Sequence, residues 1–236
     1  MTRVRASRYR ALATDYDGTI ATDGVVDEAT VAALRKVRGA GLRLILVTGR
    51  QFDDLVATFP HTDLFDRVVA ENGAILYDPA AAVSRTLAPP PPRELVDLLA
   101  ARNVPVSVGR AIIATVDPCE HVLRSTIHDL GLDWHVILNK GSVMALPSGI
   151  TKATGLVSAL EDLNVSAAST VGVGDAENDH AFLQLCGTAV AVANALDGVK
   201  KGASFVTQGR AGSGVRELID LILAGELADT SRPTTD

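Results

Sequence analysis

ALATDYDGT, at residues 11–19, is the stretch from which the fold of this chain is predicted. Its apolar first half predicts a short buried strand, which Gly18 ends. Side chains two residues apart in a strand point to the same side, so Asp15 and Asp17 are expected to project together from its carboxyl end. Two carboxylates this close repel each other unless a cation or a shared proton lies between them. The alternative to a cation site is a purely structural role, because aspartates at such a turn often only form hydrogen bonds with the backbone.

The composition is that of an ordinary globular protein. The chain has 236 residues, 47% of them hydrophobic and 21% charged, with a net charge of −6. This length suffices for one large domain with a smaller companion. The negative charge argues against a nucleic-acid or membrane partner, since both require a basic surface. The arginines near the start are interpreted as a solvated lead-in rather than a binding arm; they are Arg3, Arg5, Arg8 and Arg10.

Cysteine usage and hydropathy predict the compartment. Cys119 and Cys186 lie far apart without Cys-x-x-Cys spacing, so neither a disulfide framework nor a zinc site is predicted. A reducing compartment suits such cysteines. The first residues lack a signal-peptide core, and the apolar run at residues 42–47 is too short to span a bilayer. We therefore expect a soluble cytoplasmic protein.

Strand and helix patterns alternate in two parts of the chain. Strands are predicted at residues 42–47 and 67–70. A helix that begins at Asp27 precedes the first of these strands, and one that begins at Gln51 lies between the two. The alternation resumes with a helix over residues 151–163, a strand at 169–173 and further helices at 177–185 and 215–223. Such spacing predicts right-handed crossovers and a parallel sheet with helices on both faces. Short strands at 189–193 and 204–206 complete the pattern, and the polar tail from residue 226 is predicted to be disordered.

The segment between these two parts has a different order. A polyproline run at residues 88–92 is interpreted as a stiff linker. Helices at 93–101 and 118–130 then alternate with pairs of strands, at 104–108 and 111–116 and at 134–138 and 142–146. This α-β-β-α-β-β order is typical of a compact antiparallel module. We therefore place an inserted second domain at residues 81–147 and the main domain at residues 1–80 and 148–236.

Three further groups of polar residues accompany the aspartates. Residues 48–50 read TGR and residues 174–179 read GDAEND, each directly after a predicted strand. Ligands of open parallel sheets bind at the carboxyl ends of the strands, so these groups are expected to converge there. Lys152 opens a predicted helix. A cation at this end faces the positive end of the helix dipole, which lowers helix stability by roughly 0.3–1 kcal/mol. One interpretation is that Lys152 is placed there because function requires it. The other is that it is a surface lysine for which the unfavourable position has little consequence.

The expected charge balance indicates a metal. If the groups converge, Asp15, Asp17, Asp175 and Asp179 face only Lys152 and Arg50, and this excess of carboxylates calls for a hard cation such as Mg²⁺. A metal with open positions beside a lysine, a threonine hydroxyl and backbone N–H groups makes a phosphate site. The sequence contains no P-loop pattern and no Gly-x-Gly-x-x-Gly, so a nucleotide or dinucleotide site is not predicted.

The four groups in this order resemble the motifs of the haloacid dehalogenase-like (HAD) phosphohydrolase superfamily. The insert resembles the C2-type cap of the Cof-like branch, and its short form is most similar to the caps of small-capped phosphoglycolate and sugar-phosphate phosphatases. The stretch Glu71-Asn72-Gly73-Ala74 and Asn194-Ala195 also fit that branch, whereas Ala193 replaces a common glycine. The implied fold is α/β, a HAD-like Rossmannoid parallel sheet core with an inserted small α+β cap.

The resemblance implies a role for each motif residue. Asp15 would be the nucleophile that forms an aspartyl-phosphate, and Asp17 the general acid and then the base. Mg²⁺ would be held by Asp15, by the carbonyl of Asp17 and by Asp175, with Asp179 as a ligand through water or as a partner of Lys152. The implied phosphate-binding residues are Thr48, Gly49, Lys152 and Asn178, and Arg50 either joins them or serves a nearby carboxylate. The five histidines receive no role, and the oligomeric state is not predicted.

The leading hypothesis is a Mg²⁺-dependent phosphatase that acts on a small phosphorylated metabolite, such as phosphoglycolate or a sugar phosphate. A phosphosugar mutase of the phosphomannomutase type is the second hypothesis, although its cap is usually larger and richer in arginine. The third is a non-catalytic metabolite-binding protein, against which the intact Asp15 and Asp17 argue. Arg110, Lys140 and Ser142 are the candidate cap contacts of the substrate.

Overall fold

The computed structural model describes residues 8–139 and 141–227. Arg3 and Arg5 of the amino-terminal cluster, the candidate cap residue Lys140 and the tail from residue 228 lie outside the described residues. No helix within the described ranges is both long enough and apolar enough to cross a membrane.

Within the described residues, twelve strands form two sheets, and eight α-helices accompany them. The strands are β1 (Ala11–Thr14), β2 (Arg43–Val47), β3 (Arg67–Ala70), β4 (Ile75–Asp78), β5 (Val83–Thr86), β6 (Ser107–Val108), β7 (Ile113–Val116), β8 (Trp134–Asn139), β9 (Ser142–Pro147), β10 (Thr170–Gly174), β11 (Thr188–Ala191) and β12 (Phe205–Val206). The helices are α1 (Glu28–Gly39), α2 (Phe52–Thr58), α3 (Arg93–Ala101), α4 (Glu120–Asp129), α5 (Lys152–Leu163), α6 (His180–Leu185), α7 (Asp197–Gly202) and α8 (Ala211–Ala224).

The larger sheet has eight strands in the order β12-β11-β10-β1-β2-β3-β4-β5. The first six strands in this order pair in parallel, and β4 and β5 add an antiparallel edge. Strand β1 is completely buried and lies between β2 and β10, as expected for an apolar run covered on both faces. This central position places the residues that follow β1 between those that follow its two neighbours.

Local sequence signals explain how the helices begin. The side chain of Asp27 accepts a hydrogen bond from the Thr30 backbone N–H at 2.6 Å and caps α1, as predicted. Helix α1 then buries Val31, Leu34 and Val37 against the large sheet. At α5, Thr151 is the N-cap and exchanges hydrogen bonds with Thr154, so Lys152 becomes the first helical residue.

The predicted α-β-β-α-β-β insert forms a second sheet of four antiparallel strands in the order β6-β7-β9-β8. Helices α3 and α4 cover it and form a separate apolar core that includes Leu95, Leu99, Ile113, Leu123 and Val143. We call this module the cap. The division of the chain at residues 81 and 147 remains a prediction.

Four elements differ from the sequence-based expectations. Residues 83–86, which the sequence places in the insert, form β5 and pair with β4 in the large sheet. Strand β5 is a largely exposed edge strand and so has no buried periodicity to reveal it. Strand β4 and helix α7 were not predicted, and α8 begins at Ala211 rather than at Val215.

Candidate active site

The order of the strands brings the predicted motifs together. Asp15, Thr48 and Asp175 each directly follow one of the three adjacent parallel strands β1, β2 and β10. Their side chains therefore meet at the carboxyl edge of the sheet, as expected for a doubly wound fold. Lys152 reaches the same edge from the first turn of α5, and the short turn at Glu177–Asp179 follows β10.

Lys152 lies between two aspartates in the interior. Its Nζ donates to Oδ1 of Asp15 and to Oδ1 of Asp179, both at 2.6 Å. All three residues are at least 96% buried, with exposed fractions of 2%, 4% and 0%. The other oxygen of Asp179 accepts the backbone N–H groups of Asp175 and Ala176 at 2.8 and 3.0 Å. Asp179 is therefore held from both sides, and the lysine at the start of α5 is buried rather than a surface residue.

Burial dominates the acid–base properties of this cluster. It raises the pKa of Asp15 to about 7, with repulsion from Asp179 adding to the effect and attraction from Lys152 opposing it. Burial alone would lower the pKa of Lys152, but the charges of Asp15 and Asp179 raise it above its ordinary value. Lys152 therefore stays protonated and can neutralise one negative charge at the site.

Asp17 has a different partner. Arg50 donates to both of its carboxylate oxygens, Nε to Oδ2 at 2.7 Å and Nη2 to Oδ1 at 2.8 Å. Arg50 also reaches Asp54 at 3.0 Å and lies over the ring of Tyr16, 5.1 Å from its centroid. The Asp17 side chain is 44% exposed, in contrast to Asp15. The two aspartates line the same cavity, but each has its own cation.

The residues present fit a divalent metal ion. Carboxylate oxygens of Asp15, Asp175 and Asp179 lie within 4.8 Å of one another. Thr19 Oγ1 donates to Asp175 Oδ1 at 3.3 Å and so helps to orient it. Three buried carboxylates face one ammonium, and an all-oxygen set with surplus negative charge suits Mg²⁺. The Asp17 carboxylate is not among the three.

The predicted phosphate-binding residues surround the same edge. The Thr48 hydroxyl oxygen accepts the Arg50 backbone N–H at 3.1 Å, which leaves its hydrogen to donate elsewhere. Gly49 packs so closely on Asn72 that a Cβ on it would lie 3.2 Å from the Asn72 amide. Asn178 Nδ2 donates to Asn72 Oδ1 at 2.9 Å, whereas the buried Asn178 Oδ1 has no partner among the described residues.

A cavity of about 320 Å³ lies between this edge and the cap. The main-domain residues that line it include Asp15, Asp17, Thr48, Gly49 and Arg50. The cap residues that line it are Ser107, Ala114, Asn139, Ser142 and Met144. Ser142, one of the candidate substrate contacts, thus lines this cavity. Arg110 is not among the lining residues, because its guanidinium pairs with Asp53 at 2.7 Å and lies over the ring of Phe52.

Three residues in or beside this site have no role in the sequence-based predictions. Asn194 donates to the Gly18 carbonyl at 2.7 Å and accepts the Ala211 N–H at 2.6 Å, so it supports the loop after β1. Glu71 and Asn72 follow β3 and are buried. An acidic residue before Asn-Gly at a strand end was the available signal, but it identifies a turn rather than a partner.

Comparison with known proteins establishes the family. The family model described as haloacid dehalogenase-like hydrolase matches residues 12–117 and 135–219. The chain belongs to the haloacid dehalogenase-like hydrolases. A phosphoglycolate phosphatase of Metallosphaera sedula is 30% identical to this hydrolase over 230 residues, which cover 91% of the chain and 99% of the relative.

Solved structures share the fold of this hydrolase. A crystal structure from Thermoplasma acidophilum matches with a TM-score of 0.78 at 18% identity and covers 92% of this chain and 99% of that one. A HAD subclass IIB sugar phosphatase matches with a TM-score of 0.74 at 17% identity, over 92% and 100% of the two chains. The predictions of a HAD-like α/β fold and of a HAD-like phosphatase are confirmed.

Proposed function

We propose that this hydrolase is a Mg²⁺-dependent phosphatase that cleaves a small phosphomonoester through an aspartyl-phosphate on Asp15. The observation that carries the proposal is the position of Asp15. Its carboxylate lies where the cavity meets the metal-compatible cluster and touches the Lys152 ammonium at 2.6 Å. A nucleophile placed beside a fixed positive charge suits phosphoryl transfer, which depends mainly on positioning and charge neutralisation.

Asp15 supplies the attacking oxygen. Among the described residues, the hydrogen bonds to its carboxylate involve Oδ1, which leaves Oδ2 to attack phosphorus. The new bond joins Oδ2 to phosphorus while the bond from phosphorus to the ester oxygen breaks. Lys152, Thr48, the Gly49 N–H and Asn178 are assigned to the phosphoryl oxygens, whose charge they would hold in place.

Asp17 serves the leaving group. We assign it the proton that the leaving ester oxygen takes up, and then the removal of a proton from the water that hydrolyses the aspartyl-phosphate. Its position on the cavity and its 44% exposure support this role. Arg50 donates one hydrogen bond to each of its oxygens, so each oxygen keeps a second lone pair that can carry the transferred proton.

Asp15, Asp175, Asp179 and the Asp17 carbonyl would hold the Mg²⁺. When bound, the ion neutralises the phosphate charge and favours the ionised form of its carboxylate ligands. Burial raises the pKa of Asp15 to about 7, and a bound cation would favour the ionised form of this carboxylate, which is the form that attacks.

The cavity supports a small substrate. Its volume of about 320 Å³ lies at the lower end of the roughly 300–1,000 Å³ typical of ligand pockets. Phosphoglycolate is proposed from the name of the Metallosphaera sedula relative. A sugar phosphate is proposed because Ser107, Asn139 and Ser142 on the cap side offer uncharged hydrogen-bonding groups.

Phosphate release from a panel of phosphomonoesters, with Mg²⁺ and with a chelator, tests the proposal. Wild-type protein and Asp15→Asn are compared, with Asp66→Asn as a control carboxylate far from the cavity. We expect release that requires Mg²⁺, persists in the control and disappears in Asp15→Asn. Release from no ester, or equal release by Asp15→Asn, would contradict the proposal. The ranking of phosphoglycolate against sugar phosphates then selects the substrate class.

A further inference from the structure

Glu71 connects the main domain to the cap from outside the phosphate site. The residue is 1% exposed and directly follows β3. Its Oε1 accepts the backbone N–H groups of Phe52 at 3.3 Å and Arg110 at 3.1 Å, and its Oε2 accepts that of Ala111 at 2.8 Å. No ion pair of Glu71 occurs within residues 8–139 and 141–227. Three backbone donors therefore compensate for the burial of this carboxylate.

The backbone at this point is strained. Glu71, Asn72 and Gly73 all have positive φ values, 52°, 52° and 107°. A left-handed conformation is unfavourable for a glutamate, and such strain persists only where surrounding contacts enforce it. Asn72 supplies further contacts, because its Oδ1 accepts Asn178 Nδ2 at 2.9 Å and its Nδ2 donates to Met144 Sδ at 3.1 Å. The loop thus contacts both the phosphate site and the cap.

The partner of Glu71 in the cap is the turn of a hairpin that lines the cavity. Strands β6 and β7 pair Ser107 with Ala114, and both residues line the cavity. The turn between them is closed by a hydrogen bond from Gly109 N to Ile112 O at 2.8 Å. A Cβ at Gly109 would lie 2.8 Å from Glu71 Oε1 and 2.7 Å from Ile112 Cγ2, so only glycine allows this close approach.

The partner of Glu71 in the main domain is the opposite wall. Phe52 begins α2, directly after Gln51, which also lines the cavity. Gln51 Oε1 accepts the Ser107 hydroxyl at 3.1 Å. One carboxylate therefore holds the start of α2 and the turn at residues 109–111, two backbone segments that carry facing walls of the same cavity.

We propose that Glu71 is a positioning residue that sets the separation between the cap hairpin and the phosphate-binding residues, and thereby the selectivity for the leaving group. Glu71 is not among the residues that line the cavity, so it acts through the backbone of Phe52, Arg110 and Ala111. The inference rests on the proposed function, since it takes this cavity as the substrate site.

Two variants disturb the contact from opposite sides. Glu71→Gln is nearly isosteric, but its amide has a single oxygen and places an N–H₂ group against a backbone donor. Gly109→Ala pushes the turn away from Glu71. Asp66→Asn is the matched control, because Asp66 Oδ2 accepts the Leu44 backbone N–H at 2.9 Å and its side chain is only 9% exposed. It removes a similar carboxylate without touching the cap.

Steady-state kinetics on the ester panel measure the effect. For the best ester we expect KM to rise about tenfold in Glu71→Gln and Gly109→Ala, with kcat changed by less than about threefold. The preference for this ester over p-nitrophenyl phosphate falls by a similar factor, because that aromatic leaving group does not need the cap to be placed. Asp66→Asn keeps the wild-type preference. A preference that stays unchanged in both Glu71→Gln and Gly109→Ala would overturn the proposal.

Hydrogen exchange separates this inference from the proposed function. The amides of Arg110 and Ala111 are expected to lose protection in Glu71→Gln, and to keep it in Asp66→Asn. Retained protection in Glu71→Gln would overturn the positioning role even if activity changed. If the wild-type protein hydrolysed no ester, the proposed function would fail and the claim on selectivity with it, while loss of protection would still show that Glu71 anchors the cap.

Discussion

Arg50 holds Asp17 with two parallel hydrogen bonds of 2.7 and 2.8 Å, one to each carboxylate oxygen. This fork geometry fixes the direction of the carboxylate as well as its charge, which a single lysine contact does not do. The Asp17 interaction raises the pKa of Arg50 above its ordinary value, so the guanidinium remains charged. The pair therefore orients the residue that we assign to proton transfer.

Arg50→Lys tests whether this orientation matters for turnover. The substitution keeps the positive charge but loses one of the two parallel bonds, so we expect kcat to fall by about tenfold with little change in inhibition by inorganic phosphate. Arg43→Lys is the control, since the exposed Arg43 side chain pairs with Asp66 at the far end of β2. A kcat equal to that of the wild type would show that other contacts place Asp17.

Lys152→Met tests the charge balance of the buried cluster. Removing the ammonium leaves Asp15 and Asp179 buried without their cation, and we expect a loss of about 3–5 kcal/mol in the free energy of unfolding in chelator. Mg²⁺ should restore part of this loss, because it replaces the missing positive charge. Thermal or urea unfolding with and without the metal measures both effects.

Lys36→Met is the matched control for that experiment. Lys36 pairs with Asp220 at 2.8 Å, but the two side chains are 61% and 69% exposed. Such surface pairs contribute about 0–1 kcal/mol, so we expect a small effect that does not depend on Mg²⁺. Equal losses in the two variants would contradict a buried charged cluster around Lys152.

Asp175→Asn separates metal binding from folding. Mg²⁺ at 100 times its dissociation constant should stabilise the wild type by about 2.7 kcal/mol, which corresponds to roughly 5–10 °C in Tm. Asp175→Asn removes one of three clustered carboxylates, so we expect no loss of Tm in chelator and little gain on adding Mg²⁺. Asp66→Asn keeps the full gain. A normal Mg²⁺ response in Asp175→Asn would exclude Asp175 as a ligand.

The two cysteines should differ in reactivity. Burial raises the pKa of the Cys186 thiol from 9.0 to about 12, and the residue is 8% exposed, whereas Cys119 is half-buried. At pH 8, iodoacetamide should therefore label Cys119 in the native protein and Cys186 only after unfolding. Mass spectrometry of labelled peptides measures this, and native labelling of Cys186 at the rate of Cys119 would contradict it.

The same thiol predicts an alkaline loss of stability. Above pH 9 the unfolded Cys186 releases its proton while the folded one retains it, so the unfolded state binds fewer protons. The free energy of unfolding should then fall as the pH rises from 9 towards 12, by up to about 1.36 kcal/mol per pH unit. Cys186→Ala should lack this contribution, whereas Cys119→Ala should keep it.

Much of the fold could be predicted because its signals are local. The N-cap role of Asp27, the apolar stripe of α1 and the buried strand β1 each follow from a few neighbouring residues. Strand β5 could not, because an exposed edge strand of four residues carries no burial pattern. Its place depends on pairing with β4, which the local sequence does not encode.

The sequence by itself determined which residues meet. Parallel strands end at one edge of a sheet, so the motifs after β1, β2 and β10 had to converge, and their carboxylates had to find cations. Only the tertiary structure decided how the charges divide. Lys152 approaches Asp15 from 137 residues away and Arg50 approaches Asp17 from 33 residues away, so Asp15 and Asp17 have separate partners. The contact between Glu71 and Ala111 likewise joins the segment after β3 to the cap, and pairing over such distances depends on packing that no local pattern records.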